Sequence, residues 1–167
     1  MSLYRIRNII IAAVLLIAAF ILQSTVFSRI PVIACSPNFV LIIAFAYGYC
    51  EGSISGMIAD FFGGLLIDIF QGGNIGINAL ILVIIGFISG IWKSYFYSDD
   101  FYIPMAALTT GNFIYCLINF VFWFILRARF DLGYYLLHII LPEFLLTFIA
   151  GVILYKPVSA LIERLRI

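Results

Sequence analysis

Apolar residues in this chain run in long unbroken segments separated by short polar turns, without the stripes or alternation of a half-buried helix or strand. A bilayer core of about 30 Å takes about 20 residues of helix. Backbone groups in hydrocarbon need partners inside their own segment, which makes each segment a helix. Six spans are predicted, at 8–28, 37–50, 53–70, 74–92, 101–126 and 133–155. Gln23-Ser24-Thr25 closes the first, and Pro37 suits the first turn of the second. Gly48, Glu51 and Gly52 divide the second from the third, in a stretch too long for one crossing. Asn74 is the expected N-cap of the fourth and Asp100 of the fifth. Asp131 stands near the start of the sixth, and Pro157 lies beyond its end. After Pro157, Val158, Leu161, Ile162 and Leu165 recur at helical spacing between charges, so 158–167 reads as a short amphipathic helix on the cytoplasmic membrane face. The expected fold class is an all-α integral membrane protein, a six-helix transmembrane bundle forming one domain over residues 1–157.

Composition agrees. The 167 residues are 65% hydrophobic and 10% charged, with a mean hydropathy of +1.21. A soluble domain of this size leaves too much surface in water to hide that apolar content. A net charge of +1 offers no basic field for nucleic acid. Cys35, Cys50 and Cys116 fit no metal or redox spacing, and no disulfide is expected. Arg5 and Arg7 precede an apolar run with no small-x-small cleavage site after it, so the first span is expected to be retained. With the amino terminus inside, Arg5, Arg7, Lys93, Lys156, Arg164 and Arg166 fall inside, against Arg29, Arg127 and Arg129 outside. That bias places both termini in the cytoplasm. Tyrosines and tryptophans such as Tyr47, Trp92, Tyr95, Trp123 and Tyr155 stand at predicted span ends, where the headgroup layer favours them.

Candidate chemistry lies where the apolar rule breaks. Asp60 falls near the middle of span three, Asp68 near its outer end and Glu143 near the middle of span six. No lysine or arginine lies within a span to offset Asp60 and Glu143, so each should be neutral, reach a wet cavity, or meet the other. Gly48, Gly52, Gly56, Asp60, Gly64 and Asp68 follow one another at i+4, with Gly63 adjoining. Small residues at that spacing let another helix come close. Gly56, Gly63, Gly64 and Asp68 are therefore the candidate partner-binding residues. Pro142 is expected to free the carbonyl of His138 within span six. Asp60, Asn112, Asn119, His138 and Glu143 make up a candidate polar pocket. That pocket is the basis of an alternative reading as a small-molecule-binding subunit of a transporter. The absence of an Ala-x-x-x-Ala pair on the first span weighs against it. No converging ligand set points to a metal, no cofactor is expected, and the acids sit in no hydrolase motif.

Several of these residues carry a family likeness. Gln23-Ser24-Thr25-Val26-Phe27 is followed by Ser36-Pro37-Asn38-Phe39-Val40-Leu41. Then come Gly48, Glu51-Gly52, Gly56, Phe62-Gly63-Gly64-Leu65-Leu66-Ile67-Asp68 and Gly76-Ile77-Asn78-Ala79-Leu80, with Lys156-Pro157 and Arg164-Leu165 at the end. In that order, across nearly the whole length, they resemble the bacterial rod shape-determining family MreD. Asp60 departs from the resemblance, which implies a glycine or another small residue there. The resemblance implies a multi-pass inner-membrane component of the cell-elongation machinery without catalytic activity. It also implies association with MreC, and through it with RodA and its penicillin-binding transpeptidase in lateral peptidoglycan synthesis. The implied fold is similar to the substrate-binding subunits of energy-coupling-factor transporters. Pairing of two copies is left open.

Overall fold

A computed structural model describes residues 2–26, 37–71, 76–95, 102–127 and 140–165. Within these the protein is helical: α1 (Ser2–Val26), α2 (Phe39–Glu51), α3 (Ser53–Gln71), α4 (Ile77–Tyr95), α5 (Tyr102–Arg127) and α6 (Leu141–Leu165). Stretches of α3, α4, α5 and α6 are long and apolar enough to cross a membrane, and the described part of α1 adds the apolar stretch Ile10–Thr25. Exposed apolar residues recur at helical spacing: Ile10, Val14, Ile17 and Ile21 on α1, Phe113, Leu117 and Val121 on α5, and Leu145, Ile149 and Ile153 on α6. Apolar stripes turned outward suit hydrocarbon as the solvent.

α2 is the hub. It is apolar all round, as a helix enclosed by protein should be, and it packs against all five other helices. Val40, Leu41, Ile42, Ala44, Phe45 and Ala46 are wholly buried. Its 13 residues make a rod of about 20 Å, shorter than the hydrocarbon core of about 30 Å. A rod that short cannot reach water at both ends, so neighbouring side chains have to serve at least one of them.

α2 and α3 meet at a single residue. Gly52 has φ 97°, in the left-handed region that glycine enters without strain. Its N–H bonds back to the Gly48 carbonyl at 2.9 Å, and its own carbonyl accepts from Gly56 N at 2.9 Å. The expected division after Glu51 thus becomes a one-residue hinge that folds α3 against α2.

Two expectations are corrected. Pro157 does not end the sixth helix: α6 runs through it to Leu165, so residues 158–165 continue the span helix and form no separate surface segment. The missing N–H of Pro157 costs one bond, to the carbonyl of Ile153, on an exposed stretch of the helix. Pro142 and Glu143 stand early in the described stretch Leu141–Leu165, directly after the π-helical Ile140, and residues 128–139 before it lie outside the described residues. Tyr47 and Tyr155 pack inward, with 3% and 6% of their surface exposed.

Helix approach governs this packing. A Cβ on Gly64 would lie 2.6 Å from the amide nitrogen of Ala79, and one on Gly56 would lie 2.6 Å from Gly48 Cα. On Gly111 it would meet Ile85 Cγ2 at an ordinary 3.4 Å. Gly56→Ala and Gly64→Ala are therefore expected to destabilise the bundle by about 1–3 kcal/mol each. Gly111→Ala should be nearly neutral. Thermal unfolding of the purified chains in detergent measures the difference.

Candidate functional site

The i+4 ridge seen in the sequence folds back on itself. The hinge at Gly52 brings Gly48 of α2 against Gly56 of α3, and α4 seals both: the Gly86 carbonyl would be 3.1 Å from a Cβ on either glycine. From there α3 and α4 run antiparallel in close contact. Ser53 faces Gly90, Asp60 faces Gly86, and Gly64 faces Asn78 and Ala79. Gly63, on the adjoining face, would present its Cβ 3.1 Å from Leu16 Cδ2 of α1 and 3.3 Å from Val40 Cγ1 of α2.

Asp68 ends the ridge by capping α4. One carboxylate oxygen accepts from Gly76 N at 2.9 Å and Ala79 N at 3.1 Å. The other accepts from Asn78 N at 3.2 Å and Asn78 Nδ2 at 2.9 Å. A helix start leaves N–H groups without partners, and here a residue of the preceding helix supplies the acceptors. Asn74, the expected cap, lies outside the described residues. The Tyr115 hydroxyl of α5 donates to Asn78 Oδ1 at 3.0 Å, extending the cap to a third helix.

α2 is held in the same way. Asn38 is its N-cap, accepting from Leu41 N at 3.0 Å. Pro37, expected in the first turn, stands before the cap, and its carbonyl accepts from Phe39 N at 3.1 Å. The Phe39 N–H also reaches Gln23 Oε1 of α1 at 3.1 Å, and the Asn38 N–H reaches Thr147 Oγ1 of α6 at 3.0 Å. At the other end the Lys93 ammonium donates to the Cys50 carbonyl, a cation where the helix dipole is negative. Asn8 Nδ2 of α1 donates to Glu51 Oε2 at 3.2 Å.

The expected partner face lies inside the bundle. Gly56, Gly63 and Gly64 are taken up by helices of the same chain, and both Asp68 oxygens are committed to α4. None of the four offers an open surface to a foreign helix in this arrangement. The expected polar pocket also divides. Asn112 Nδ2 donates across to the Phe144 carbonyl of α6 at 3.1 Å. Asn119 Nδ2 stays on its own helix, donating to the Tyr115 carbonyl at 3.2 Å. Glu143 stands on α6 on the side of Tyr115 and Cys116 of α5. Asp60 faces α4 and shares no hydrogen bond with any of these. His138 lies outside the described residues. Among the described residues no three His, Cys, Asp or Glu side chains converge as a metal site would need.

The motif reading missed what Gln23, Asn38, Thr147 and Asn78 do. For Gln23, Asn38 and Asn78 the signal was available as polar residues near predicted helix ends, whereas Thr147 lies inside the sixth predicted span. Asp68→Ala removes the acceptors of buried backbone donors, each worth about 1–3 kcal/mol when left unpaired. It should lower the unfolding temperature and speed amide exchange at Gly76, Asn78 and Ala79. Asp68→Asn should restore stability only in part, because its NH₂ would face donors. Hydrogen exchange with mass spectrometry reads both.

Comparison with curated proteins and with solved structures returned no match. A family model described as rod shape-determining protein MreD matches residues 4–165. The match takes in the hinge, the ridge and both capped helices, so the chain belongs to the MreD family of rod shape-determining proteins.

Proposed function

We propose that this chain is a non-enzymatic scaffold of the cell-elongation complex in the bacterial inner membrane. It binds MreC, and through MreC supports RodA and its penicillin-binding transpeptidase in lateral wall synthesis. The observation that carries this reading is the family match over residues 4–165. The architecture supports it: the polar side chains that sequence alone marks as chemical are largely spent on helix ends and helix–helix bonds. Asp68, Asn38, Asn78 and Asn112 each have structural partners. Such a body acts by presenting a surface. The charge bias of the sequence puts the Lys93 end in the cytoplasm and the Asp68 end outside.

Because the ridge face of α3 is filled from within, contact with MreC falls to the opposite side of that helix. Ile58, Phe62, Ile69 and Phe70 are exposed there. A photo-crosslinking residue at Phe62 or Ile69 should capture MreC in cells, while one at buried Ile67 should not. If MreC is captured from none of these, nor from Ile17, Phe113 or Ile149 on other exposed faces, direct binding is excluded. Loss of rod shape on depletion of the chain, with MreC still crosslinked normally elsewhere, would separate the shape role from the binding step.

A further inference from the structure

We draw no further inference here: the strongest candidate, the buried Asp60 carboxyl facing Gly86 in the α3–α4 seam, stands where the close approach of the two helices leaves no room for a ligand.

Discussion

The structure depends on the near-contact of helix backbones along the α3–α4 seam. In hydrocarbon, apolar side chains gain nothing by leaving lipid for one another, so helices associate through close packing and polar bonds. Glycine makes the packing possible here. Gly48 and Gly56 let α3 fold flat against α2, and Gly64 and Gly90 let the α4 and α3 backbones approach with nothing between them. The hinge at Gly52 sets this up by turning the chain through one residue, so that one continuous ridge becomes two facing halves. Substituting one of these glycines moves a helix, because most of their virtual Cβ atoms meet backbone.

The second constraint follows from the first. A helix as short as α2, enclosed by the others, cannot reach water at both ends, and its terminal N–H and C=O groups still need partners. Gln23, Asn38 and Thr147 meet that need at one end, and Lys93 at the other. Asp68 does the same for α4. These bonds tie α1, α2, α3, α4 and α6 together through polar atoms, where apolar packing alone would leave register and rotation loosely specified.

Much of this was legible in the residues. The all-helical class, the division at Gly48-x-x-Glu51-Gly52 and the i+4 ridge follow from run length and spacing, which act locally. Whether the ridge meets its own chain or another did not follow, because a glycine row accepts any backbone. The i+4 row also presumed a straight helix, and Gly52 folds that row in two. Asp68 drew attention as a polar residue in apolar surroundings and Asn38 only within the family likeness, and their work as caps depends on which helix ends lie beside them. That is a property of the assembled bundle. The end of α6 went astray for a different reason. A proline usually ends a helix, and nothing local shows that exposure of the Ile153 stretch makes the loss at Pro157 tolerable.

These facts narrow what the chain can do. Here Asp68, Asn38, Asn78, Asn112 and Thr147 already hold partners, and recruiting any of them to a ligand would cost a cap or a helix contact. What is left for interaction is the outward surface of the bundle, shaped by a seam that admits almost no slack. Asp60 is the exception, with both oxygens unpaired at the tightest part of that seam. A group in that position either weakens the closure it sits in or is neutralised within it.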